Sequence, residues 1–164
     1  MKLKKTSITN YRCFKEAEID FDEHTTLIVG KNGAGKTAIL DAVAVAISTF
    51  LLGIDGGVSR SISKDDARYE FYDLDGTVDP QHQFPVSIES TGDCLDNHDV
   101  KWVRSLNSES GNTTVKEARE LTNISKNTQK RIMTGDKSLI LPLISYYGTG
   151  RLYAQLSLIH ISEP

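Results

Sequence analysis

Apolar and polar positions alternate along Leu3–Ile8 and again along Ala17–Phe21, the period of a strand with one buried face. Thr25-Thr26-Leu27-Ile28-Val29 is a short β-branched run, the pattern of a strand buried on both faces. Beyond a glycine-rich stretch, Ala38–Ile47 is apolar almost all round, which predicts a helix packed on a sheet. Pro85–Ser90 and Val100–Leu106 alternate again; the turn-rich Thr91–Asp99 between them predicts a hairpin with Cys94 and His98 in its loop. In Thr113–Met133, Val115, Ala118, Leu121 and Ile124 recur every third residue. That spacing predicts a helix opened by a Thr114/Glu117 capping box and weakened beyond Asn123 by Ser125, Asn127 and Thr128. Its apolar stripe is a core face, with a partner-binding face as the alternative. Leu139–Tyr147 reads as a buried strand entered at Pro142. Gly53–Phe84, rich in glycine and acidic residues, reads as a loop-rich insertion in which Ser63 caps a short helix supported by Asp66.

The chemistry lies between the third predicted strand and the first helix. Gly30-Lys31-Asn32-Gly33-Ala34-Gly35-Lys36-Thr37 has the spacing Gly-x-x-x-x-Gly-Lys-Thr in a strand–loop–helix context. Gly30 and Gly35 let the backbone curl so that successive N–H groups face one hollow, which favours an anion. Lys36 can reach terminal phosphates, Thr37 can ligate magnesium, and the helix adds the positive end of its dipole. The fold class is therefore α/β, a phosphate-loop strand and helix flanked by antiparallel strands. An ordinary glycine turn is the bland reading of the same residues.

With the strand–Asn10-Tyr11-Arg12-Cys13-Phe14–strand order that precedes it, this loop resembles the start of ABC-type ATPases of the SMC/RecF/OLD-like branch, which includes the anti-phage PtuA-like ATPases. The resemblance covers residues 1–155 and implies a P-loop NTPase, the N-terminal part of an ABC-type head with an antiparallel β subdomain. It implies ATP and magnesium as ligands, hydrolysis and head-mediated homodimerisation in the full-length parent, and DNA or a nuclease as partner, in DNA maintenance or anti-phage defence. It places Arg12 near the nucleotide, a surface arginine being the alternative. Ile62–Arg68 resembles a stretch of the same branch, with Lys64 and Arg68 as nucleotide-facing candidates. The predicted strand into Gly148-Thr149-Gly150-Arg151 would lead to a γ-phosphate-sensing loop, for which Gln155 is the candidate.

Two elements of such a site are missing from this sequence. Hydrolysis needs a strand ending in Asp-Glu and a Leu-Ser-Gly-Gly signature, and neither follows Thr37; the Asp22-Glu23 pair falls on a predicted turn. The chain is thus expected to bind nucleotide without turning it over, and a non-hydrolysing nucleotide-binding or interaction module is the other reading. Leu156–Pro164 resembles the translation of a sequencing-library adapter, so residues 156–164 are expected to be non-native; a native apolar strand is the alternative. Phe71–Val78 matches the nucleophile motif of HAD-like phosphatases, with Asp73 and Asp75 as its carboxylates, but Asp65–Glu70 is no buried strand and an Asp-Gly turn explains it.

Composition narrows the class further. A 25% charged, 38% hydrophobic chain of 164 residues can build one globular core. A net charge of −3 gives no global pull toward nucleic acid, and Lys2, Lys4 and Lys5 on the first strand read as a solvated face. Cys13 and Cys94 match no metal spacing and suit a reducing cytoplasm. The first helix is expected to break at Ser48, Thr49 and Gly53, short of spanning length, so no membrane association is expected.

Overall fold

In the computed structural model, which describes residues 1–74 and 77–148, the two early alternating stretches pair as a hairpin. β1 (Lys2–Tyr11) runs antiparallel to β2 (Phe14–Asp20), with Tyr11 opposite Phe14 across the two-residue turn Arg12-Cys13. The phosphate-loop helix α1 (Lys36–Ser48) follows. The Gly53–Phe84 stretch contains a 3-10 turn at Lys64–Asp66 and an antiparallel hairpin of β3 (Tyr69–Leu74) and β4 (Thr77–His82). β5 (Val86–Cys94) and β6 (Asn97–Leu106) then complete a four-stranded antiparallel sheet of order β2-β1-β5-β6, and α2 (Arg119–Met133) closes the regular structure.

The core follows from the alternation. Val86, Ile88, Ser90 and Cys94 on β5 point inward, and Ile8 and Tyr11 on β1 join Val86, Ile88 and Leu106 against Ala38, Ala42, Val45 and Ala46 of α1. Each such large side chain contributes roughly 1.5–3 kcal/mol by leaving water. A second cluster gathers Trp102, Val100 and Cys94 with Phe50, Ala118 and Leu121, which seats α2 beside the end of α1. Trp102 Nε1 donates to the Ala46 carbonyl at 3.0 Å, tying β6 to the last turn of α1.

Several expectations are corrected. Thr25–Val29 is not a strand: it pairs with no strand among the described residues, leaving Leu27 82% and Val29 77% exposed. A doubly buried strand needs neighbours on both edges, and the sheet order places none beside it. Leu139–Tyr147 fails as a strand for the same reason, with Leu143 95% exposed. The β5–β6 turn shrinks to Leu95-Asp96, so Cys94 is buried on a strand and His98 lies exposed on β6. Polar Thr91 and Asp93 disguise a continuing alternation there as a turn.

The helices also differ from expectation. α2 begins at Arg119 after a 3-10 turn at Lys116–Ala118 and has no side-chain cap, because Thr114 Oγ1 instead accepts the Ser105 N–H at 3.1 Å. Its second half continues to Met133, with Ser125 and Thr128 buried. The α-helix proper ends at Ser48, with Thr49 as its C-cap, but the chain does not turn away there: both hydroxyls donate to the Val45 carbonyl, at 3.2 and 2.9 Å. The helix runs on as 3-10 turns to Gly53. Lys36–Gly53 is thereby 18 residues with a mean hydropathy of 1.6, long and apolar enough to cross a membrane by length and composition, and half of it is buried in this fold.

Candidate functional site

The Gly30–Thr37 loop leads directly into α1, with Gly35 as the residue that caps it. Gly33 (φ 82) and Gly35 (φ 88) are left-handed, so these two glycines, rather than Gly30, make the curl. At Gly30 an added Cβ would meet only that of Ala34, at 3.4 Å, an ordinary contact. Ala34 N–H bonds to the Lys31 carbonyl at 3.2 Å, closing a tight turn. The first intrahelical bond is from Ile39 N–H to Gly35 O, at 3.0 Å, so the N–H groups of the first turn are left for an outside acceptor.

Charge favours an anion there. No acidic residue sits in the first turn of α1, and Lys31, Asn32, Gly33, Ala34 and Thr37 are exposed. Lys36 Nζ donates to the carbonyls of Gly30 and Lys31, each at 2.8 Å, holding one ammonium across the loop with a third donor to spare. Left-handed glycines, spare amides, a poised lysine and an exposed Thr37 hydroxyl are the donor set that a polyphosphate with a magnesium ion requires, so the residues fit that ligand.

A second cluster, centred on Asp41, sits about a turn further along α1. Its carboxylate is 7% exposed and receives Arg12 Nη1 at 2.5 Å, Arg60 Nη2 at 3.0 Å and the Tyr146 hydroxyl. Arg12 Nε also donates to Asp66 Oδ1 at 2.8 Å, and Asp66 in turn accepts from the Ser63 N–H and hydroxyl, the predicted cap of that short turn. Burial works against the Arg12 charge, but the surrounding Tyr11, Asp66 and Asp41 more than offset it and raise the guanidinium pKa. Burial, then the bond to Asp41, pushes the Tyr146 phenol up. Asp41, Arg60 and Tyr146 escaped the sequence reading. One signal was available: Asp41 is the lone acidic residue in the apolar run after Lys36, and a buried carboxylate demands partners.

The other candidates lie elsewhere. Lys64 pairs with Glu109 at 3.6 Å and Arg68 with Glu70 at 2.9 Å; neither bonds to residues 30–37. Lys2, Lys4 and Lys5 are each paired with a carboxylate, of Glu23, of Asp93 and Asp99, and of Glu18, so the basic face of β1 is neutralised. Asp73 stands on a hairpin whose Phe71 is 69% exposed, unlike the end of a buried strand that a phosphatase nucleophile requires. Asp75, Gln155, the Thr149-Gly150-Arg151 stretch and residues 156–164 lie outside the described residues. Among the described residues no three His, Cys, Asp or Glu side chains converge as metal ligands.

The AAA domain family matches residues 5–162. The chain is 54% identical over 43 residues to the DNA replication and repair protein RecF of Flavobacterium johnsoniae, covering 26% of this chain and 12% of that one. It is 48% identical over 44 residues to the DNA double-strand break repair Rad50 ATPase of Archaeoglobus fulgidus, 27% of this chain and 5% of that one. A solved structure from work on ATP-driven dimerization and DNA stimulated activation of SMC ATPases covers 99% of this chain and 100% of its own, at 19% identity and a TM-score of 0.47. With its glycine loop leading into a helix packed on an antiparallel sheet, and its match to family and relatives, the chain belongs to the AAA domain family, as a P-loop NTPase of the SMC/RecF-like ABC-type ATPase heads.

Proposed function

We propose that this chain binds ATP with magnesium through Gly30, Lys31, Asn32, Gly33, Ala34, Gly35, Lys36 and Thr37. The supporting observation is the exposed loop, in which Gly33 and Gly35 turn left-handed and Lys36 bridges two carbonyls at a helix start that has no side-chain cap bond. The backbone N–H groups and Lys36 would hold the phosphates, and the Thr37 hydroxyl would hold the metal. Bound magnesium neutralises phosphate charge. Every other contribution is positional: the loop grips, and the helix dipole favours the anion.

The relatives include a DNA repair ATPase and a replication and repair protein, each far longer than the matched stretch. In the complete protein, the grip would serve ATP hydrolysis that drives head dimerisation, acting on DNA or a nuclease partner in DNA maintenance or anti-phage defence, in the cytoplasm. This chain, with no Asp-Glu strand after Thr37, would bind without hydrolysing.

Titration of the chain with a fluorescent ATP analogue tests the reading. Magnesium-dependent binding that Lys36→Ala abolishes supports it; binding indifferent to Lys36 overturns it. Steady phosphate release by this chain would refute the claim that it grips without turnover.

A further inference from the structure

The β1–β2 turn touches α1 at two separate levels. At the upper level, a Cβ placed on Gly35 would fall 2.5 Å from Phe14 Cζ and 2.7 Å from Cys13 Sγ, so these two side chains abut the last residue of the phosphate loop. At the lower level, Arg12 Nη1 meets Asp41, five residues past Lys36 and therefore about 7.5 Å along the helix axis. The Arg12 head group thus grips α1 below the loop, while its neighbours press on the loop itself. The turn is held hard at this point. Arg12 is left-handed (φ 50), a conformation unfavourable for a side-chain-bearing residue. Its N–H bonds to the Asp66 carbonyl at 2.7 Å and its Nε to the Asp66 carboxylate.

We propose that Arg12 and Asp41 form a positioning clamp for the phosphate loop: their ion pair draws the β1–β2 turn onto α1 and so seats Phe14 and Cys13 against Gly35. This rests on the phosphate-binding reading above. The Asp41 carboxylate also holds Arg60 and Tyr146, so the clamp links the loop to the 58–60 and 144–146 segments through one side chain. Arg12 acts on the nucleotide through the loop's shape. Its effect is therefore the same for a diphosphate as for a triphosphate.

The test uses the full chain carrying Arg12→Ala, Asp41→Asn, Arg12→Lys or Phe14→Ala. Two quantities are measured below the unfolding transition of each variant. The first needs no nucleotide: the alkylation rate of exposed Cys13 by a neutral maleimide, Cys94 being buried and silent. The second is the affinity for fluorescent ATP and ADP analogues with magnesium. Arg12→Ala and Asp41→Asn are expected to speed Cys13 alkylation about fivefold. They are expected to weaken both analogues by the same factor, roughly tenfold. Arg12→Lys should restore most of both, and Phe14→Ala should add little on top of Arg12→Ala. Loss of affinity for ATP, or for both analogues, with an unchanged Cys13 rate would overturn the clamp in favour of direct contact with a phosphate. A lowered unfolding midpoint with unchanged alkylation and affinity would overturn it in favour of a merely structural ion pair. A wild-type chain that binds neither analogue, while its Cys13 rates respond as stated, would overturn the nucleotide reading and leave the clamp standing.

Discussion

Arg104 donates from Nη1 to the Thr49 hydroxyl at 3.2 Å, at the carboxyl end of α1. The same side chain, 2% exposed, reaches the Thr114 carbonyl at 2.9 Å and the Ser59 hydroxyl at 3.0 Å. Burial lowers its pKa, and all three of these partners are neutral. The negative end of α1 supplies the compensating potential. The helix that offers its positive end to an anion at Lys36 is therefore matched by a buried cation at its other end.

Arg104→Met is expected to lower stability by about 2–4 kcal/mol, since it leaves a buried carbonyl and two hydroxyls without their donor. Urea unfolding followed by the single tryptophan, Trp102, reads this as a lower midpoint at an unchanged slope. Unaltered stability would mean the dipole match contributes nothing.

The two left-handed glycines of the loop should respond differently. Gly33→Ala meets no atom within 4 Å, so it costs about 1–2 kcal/mol for conformation alone. Gly35→Ala pays the same conformational term and collides with Phe14 and Cys13 as well, for about 3 kcal/mol or more in total. Thermal unfolding of the two variants checks the order, and equal effects would contradict the observed packing on Gly35.

Close approach at Gly53 makes a third case. A Cβ there would lie 1.9 Å from Ser125 Oγ and 2.7 Å from the Thr122 carbonyl. Gly53→Ala is expected to push α2 away and to cost about 1–3 kcal/mol. Hydrogen exchange should show lost protection concentrated in α2; loss spread evenly over the sheet would argue against this.

Acid should weaken the fold over a defined window. Lys4, then the Asp99 N–H, holds the Asp93 carboxyl down to about 2 from its ordinary 3.8. The Ser138 hydroxyl and Arg131 likewise hold Asp136 at about 2. Between these values the unfolded chain binds more protons than the folded one, so stability falls as pH drops from about 4 to 2. Asp93→Asn should flatten that slope in a circular-dichroism titration. The raised Lys4 pKa acts oppositely, its share being lost only as pH climbs past 10.5.

Features that depend on local order were readable along the chain. The Gly30–Thr37 spacing, the apolar run behind it and the alternation of β1, β2 and β5 each declare an element through neighbours a few residues away. So does the Ser63–Asp66 cap. The failures share one cause. Thr25–Val29 and Leu139–Tyr147 have strand composition, but a strand exists only when another backbone lies beside it, and among the described residues none does. Thr114 has the right spacing for a helix cap, yet Ser105 of β6 claims its hydroxyl. Asp41, Arg12, Arg60 and Tyr146 are up to 134 residues apart in the sequence, from 12 to 146, and meet at one buried carboxylate. Composition and spacing declare which residues could bind phosphate. Where the arginines spend their charge was settled by desolvation of Asp41 and by the fold that delivers partners to it.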